Sequence, residues 1–147
     1  MSPRALRARW VWTLSLAGTL PMLLAVGLIP HASGVRLLSY YSLAILAFLA
    51  GTSWMVALMN PSTAWSQRKL LLVSTNVCVI AAVSAAIWLA PAQRFSVFAF
   101  LFALLLVQER SKSAFAPQPP YYRAMRLTVT CIVVAIHVAA ALRLNLG

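Results

Sequence analysis

Acidic side chains are almost missing from this chain: Glu109 is the single Asp or Glu among 147 residues, set against 12 Lys and Arg. One carboxylate excludes a carboxylate pair for acid-base chemistry, a carboxylate cage for calcium and the Asp or Glu relays common in proton-coupled carriers. Cysteine is scarce as well. Cys78 and Cys131 lie inside apolar runs with no CxxC or His-Cys spacing around them, so they read as small core residues rather than zinc ligands or a disulfide framework. Of the two histidines, His31 falls between apolar runs and His137 about ten residues inside one, roughly 15 Å deep, which argues against a bis-histidine haem within one chain. Gly-rich phosphate loops, a nucleophile elbow and HExxH are all lacking. The sequence therefore predicts no catalytic residue, no metal site and no cofactor of its own, and a protein that is not an enzyme.

What the chain has is hydrocarbon. Its residues are 63% hydrophobic and 9% charged, far from the soluble norm, in which about a quarter are charged. Five apolar runs, about 10–29, 37–59, 70–90, 95–108 and 127–144, stand apart at Pro, charged and polar clusters. They predict an all-α polytopic membrane bundle of five transmembrane helices in a single membrane domain, 1–147. The basic flank and first run resemble a secretory signal ending near Ala32-Ser33-Gly34, but 20 apolar residues exceed a usual signal core, so a retained span is expected. The fourth run is short: "FSVFAFLFALLLV" and its flanks supply about 14 residues, roughly 21 Å, so it needs a thinned bilayer, extra turns from Pro91 onward or shielding by neighbours. It is apolar on every side, so a companion helix packing Phe95, Phe98, Phe100 and Phe102 is expected to relieve the mismatch.

The positive charges fall between the runs, not in one stripe, which argues for anionic lipid head groups as partners and against nucleic acid. Arg4, Arg7, Arg9, Arg68, Lys69, Arg110, Lys112, Arg123 and Arg126 share one side, and Arg36, Arg94 and Arg143 the other. Nine against three predicts N-in/C-out. Trp10, Trp12, Tyr40, Tyr41, Trp65, Trp88, Tyr121 and Tyr122 fall near run ends, where aromatic rings anchor at the interface.

Polar residues interrupt the spans at similar depth. Thr52 and Ser53 enter span two from the N-terminal side by roughly 10 Å, Asn76 enters span three similarly, and Gly18-Thr19 and Thr130 enter spans one and five. Thr19, Thr52, Ser53, Trp54, Asn76 and Thr130 thus form a candidate polar layer, with Gly51 allowing close approach and the Trp54 indole able to donate. Two readings compete. The layer groups bond one another and fix the bundle, with Asn76→Leu costing about 0.5–2 kcal/mol, or they line a pocket for a lipid, quinone or partner segment. His137 is the candidate intramembrane ionisable group. Thr130, seven residues earlier on the same face, suggests an inward stripe, and Ala135, Ala139 and Ala140 offer surfaces for close helix packing.

Three stretches carry a resemblance. "LAGTLPMLLAVGL", "YSLAILAFLAGTSWMVAL" and "YYRAMRLTVTCIVV" resemble the Gly-x-x-Pro-Phe opening, the Tyr-led second helix and the entrance to the last helix of the family catalogued as domain of unknown function 3429, which includes transmembrane protein 69. The likeness covers nearly the whole chain. It departs at Ala50 and Val56, where glycines are expected, at Ser53, where His is common, and at Met22 in place of Phe. The resemblance implies a small multi-pass protein of the bacterial inner membrane, or of the mitochondrial one if the source is eukaryotic, and implies no activity.

Together these features predict an accessory, assembly or interaction subunit without catalysis, working with another membrane protein or a second copy. The alternative is a small carrier or lipid- or quinone-binding bundle that uses the polar layer and His137.

Overall fold

The computed structural model describes residues 3–29, 31–60, 63–111, 115 and 118–146. Pro61, at which the second run is expected to stop, and Lys112 of the basic cluster lie outside the described residues, as does the side chain of Arg4. Six helices form: α1 (Pro3–Ala17), α2 (Leu20–Gly27), α3 (Ala32–Met59), α4 (Trp65–Trp88), α5 (Pro91–Ser111) and α6 (Pro120–Leu146). No strand occurs among the described residues. α1 and α2 together make the first of five stretches long and apolar enough to cross a membrane, and α3 to α6 make the others. The fold is therefore an all-α bundle of five membrane-span helices.

Cross-contacts give the helices an up-and-down arrangement. Ser74 near the start of α4 donates to Gln108 near the end of α5 at 3.3 Å, and Arg143 near the end of α6 donates to the Val26 carbonyl near the end of α2 at 2.9 Å. We call the end holding the starts of α1, α4 and α6 proximal, and the opposite end distal. At the proximal end Ala57, Leu71 and Phe115 form a small separate core.

The first span is broken for a local reason. Pro21 has no N–H, so Ala17 loses its helical donor, and the Thr19 N–H turns to Leu16 at 2.9 Å in place of the residue before it. The Thr19 hydroxyl donates to the same Leu16 carbonyl at 2.7 Å, and Tyr41 of α3 donates its hydroxyl to the Gly18 carbonyl at 2.8 Å. Tyr41 is thus an inward clamp on the break, not an interface anchor, whereas Trp10, Tyr40, Trp65 and Trp88 project outward as anchors do.

The fourth span gains its length from extra turns that begin at Pro91. α5 has 21 residues, roughly 31 Å at 1.5 Å per residue, which matches a hydrocarbon core of about 30 Å. Its charged ends stay helical because partners on neighbouring elements accept them. Arg94 donates to Ser39 of α3 and to the Leu89 carbonyl, both at 3.1 Å, and Glu109 pairs with Arg126 of α6 at 2.9 Å. α5 packs against α3, α4 and α6 and is the most enclosed span. Phe95, Phe98 and Phe102 are buried in the chain's own core, and only Phe100 of the four faces outward. The three buried rings meet His137 of α6.

Candidate cavity and its charged mouth

His137 sits at the centre of the bundle, fully buried and ringed by Phe95, Phe98 and Phe102, with ring centroids 6.0, 6.1 and 5.4 Å away. Nδ1 lies 2.7 Å from the Val133 carbonyl, which can only accept, so Nδ1 carries the hydrogen. In a neutral ring Nε2 is then an acceptor, and the Ser42 hydroxyl of α3 donates to it across 2.8 Å. Both ring nitrogens are satisfied, and the pair ties α3 to α6.

The candidate polar layer divides. Thr19, Thr52 and Thr130 converge on one cavity of about 500 Å3 between the broken span, α3 and α6. Ser53, Trp54 and Asn76 take no part in its walls. The Asn76 amide donates to Leu72 of its own helix at 2.8 Å and stands exposed, Ser53 and Thr52 both bond back to Leu49, and Trp54 projects outward. A methyl at Gly51 would meet nothing within 4 Å, so this glycine makes no close helix approach. Ala140 is buried, while Ala135 and Ala139 are exposed. The layer is therefore one side of a bundle, not a ring around it.

The cavity occupies the proximal half. Gly18 and Thr19 bring the non-helical backbone of the first span to its wall, Leu49 and Phe48 come from α3, and Phe102 with Met22 and Val133 forms its inner end. Irregular backbone at membrane depth is tolerated where it is buried in protein or lines a cavity, and here it lines one. His137 does not contribute to the walls.

Toward the proximal end the walls turn polar, through Tyr122, Thr130 and Arg126. Arg126 is buried, with Nε donating to Glu109 at 2.9 Å and Nη1 to Thr130 at 3.2 Å. An unpaired guanidinium there would be costly, so the chain's single carboxylate is placed as its counter-charge. Arg126 also lines a second, smaller cavity of about 60 Å3, shared with Glu109, Arg110, Gln118 and Arg123.

Sequence reasoning missed Arg126, Tyr122, Tyr41 and Ser42. A signal for Arg126 was present: an Arg four residues before Thr130 and eleven before His137, on the same inward stripe, in a chain with only one acid to pair with it. For Ser42 no such signal existed.

These features define the class, a helical membrane-span bundle with a side cavity of ligand size. Within that class the chain belongs to the family described as protein of unknown function (DUF3429), whose model matches residues 7–142. Comparisons with curated proteins and with solved structures give no match.

Proposed function

We propose that this protein is a membrane-resident binder of an amphiphile, a lipid or a quinone, whose hydrocarbon part occupies the cavity between the broken first span, α3 and α6. The observation that carries this reading is the cavity itself. About 500 Å3 falls within the range of roughly 300–1,000 Å3 typical of ligand sites, and mostly apolar walls with a few convergent polar groups are what such sites use. The reading contains no catalytic step. It takes the N-terminus as cytoplasmic on the strength of the nine-to-three charge asymmetry, and a bacterial inner membrane, or the mitochondrial one in a eukaryote, as the family resemblance implies.

An accessory or assembly role drew its support from an uncovered fourth span, and Phe95, Phe98 and Phe102 are covered from within the chain. Binding of an amphiphile is therefore the better supported function.

Val129 lines the cavity, so Val129→Phe fills part of it. Protein isolated from native membranes in mild detergent is expected to carry a co-purifying amphiphile by mass spectrometry, and Val129→Phe to retain roughly tenfold less, the factor that corresponds to about 1.4 kcal/mol. Equal retention by both forms would place the ligand elsewhere and remove the reading.

A further inference from the structure

We infer that the ligand is an anionic phospholipid of the proximal leaflet, its phosphate held by Arg126 with Arg110 and Arg123 while one acyl chain fills the cavity; this rests on the cavity being an amphiphile site.

Depth selects a lipid of one leaflet. Along α6 the lining runs from Tyr122, near the start of the helix, to Val133, near its middle. Eleven residues rise roughly 16 Å, close to half of a hydrocarbon core of about 30 Å. Phe102, near the middle of α5, lines the same cavity.

Charge selects the head group. The small proximal cavity is lined by Arg110, Arg123 and Arg126 against Glu109 alone, a balance of three positive side chains to one negative. Arg126 lines both cavities, so its guanidinium stands where a lipid's phosphate meets its chains. Its two hydrogen bonds, to Glu109 and Thr130, engage two of the five N–H donors of a guanidinium and fix its plane. Phosphate geometry suits a guanidinium held in this way. Glu109 keeps Arg126 buried and oriented, and its negative charge opposes the phosphate, so removing that charge strengthens binding.

The experiment uses the full chain in mild detergent with equimolar phosphatidylglycerol and phosphatidylcholine of identical acyl chains, read by native mass spectrometry. Both lipids carry the phosphate, but the choline of phosphatidylcholine adds a positive charge beside Arg110, Arg123 and Arg126, so wild type is expected to retain phosphatidylglycerol over phosphatidylcholine by roughly tenfold. Arg126→Gln abolishes the preference, Arg126→Lys keeps part of it, and Glu109→Gln raises phosphatidylglycerol retention, which a merely structural ion pair would not do. The exposed pair Arg110→Gln/Arg123→Gln weakens the preference without disturbing the core, so the test survives if Arg126→Gln fails to fold. Arg36→Gln, at the opposite end, leaves it unchanged, and excess inorganic phosphate leaves the lipid bound. Equal retention of both lipids overturns the head-group assignment and leaves the cavity reading standing. Equal loss in Arg36→Gln, or displacement by phosphate, also overturns the assignment. Retention of neither lipid, with no change in Val129→Phe, removes both readings.

Discussion

Gly34 shows how a single atom decides a connection. A Cβ there would clash with the carbonyl carbon and oxygen of Leu28 and lie 2.8 Å from the Ala25 carbonyl oxygen, all backbone atoms that cannot swing aside. Gly34→Ala is expected to lower stability by about 1–3 kcal/mol, the range for overpacking, measured by denaturant unfolding in detergent. Gly51→Ala is its control. With nothing within 4 Å of its added methyl, it should be neutral or stabilising by up to about 1 kcal/mol, because alanine favours helix. The polar residues divide in the same way. Ser42→Ala leaves His137 Nε2 without its donor and should cost about 1 kcal/mol. Asn76→Leu, whose amide bonds only within its own helix on an exposed face, should be close to neutral, unlike the interhelical bond expected for it from depth alone.

Among the elements, the broken first span and α5 carry the architecture. Pro21 and the Tyr41 clamp hold the break open on the cavity wall. Pro21→Ala restores an N–H that Ala17 can accept, and a straighter span should shrink the cavity and reduce amphiphile retention; unchanged retention would separate the break from binding. α5 is the central helix, and its outward positions are few. Cysteines placed at Phe100 and Val107, both exposed, should react with a lipid-soluble maleimide, while those at Phe95, Phe98 and Phe102 stay protected. Labelling of all five positions would mean that α5 is peripheral.

On the scale of the whole molecule, the fold was legible because length and hydropathy alone specify membrane helices, as every backbone polar group must be satisfied inside its own segment. The second to fifth apolar runs each recur as one helix with shifted ends, the first recurs as two helices, and the lengthening of the fourth is instructive. Hydropathy treats Arg94 and Glu109 as termini, but Ser39 accepts from Arg94 and Arg126 donates to Glu109, which keeps both within the helix. Orientation is a separate matter, set by the loop charges. Reporter fusions after residues 64 and 116 should both report the cytoplasm under the nine-to-three asymmetry; both outside would reverse the assignment, and 116 alone outside would remove the fourth span.

The sequence by itself determined the class of protein, the number of spans, the membership of Thr130 and His137 in one inward stripe, and the scarcity of carboxylates that narrows the chemistry. These are properties of composition and of period along one chain, and they need no neighbour. Tertiary structure alone decided which side each polar residue takes. Depth is one coordinate, and Thr52, Asn76 and Thr130 share it, but Thr52 and Thr130 lie on the cavity while Asn76 stands exposed on α4, which contributes no wall residue. The pairing of Glu109 with Arg126 and of Ser42 with His137 joins residues 17 and 95 positions apart. No local pattern records such distances, because helix packing brings the partners together.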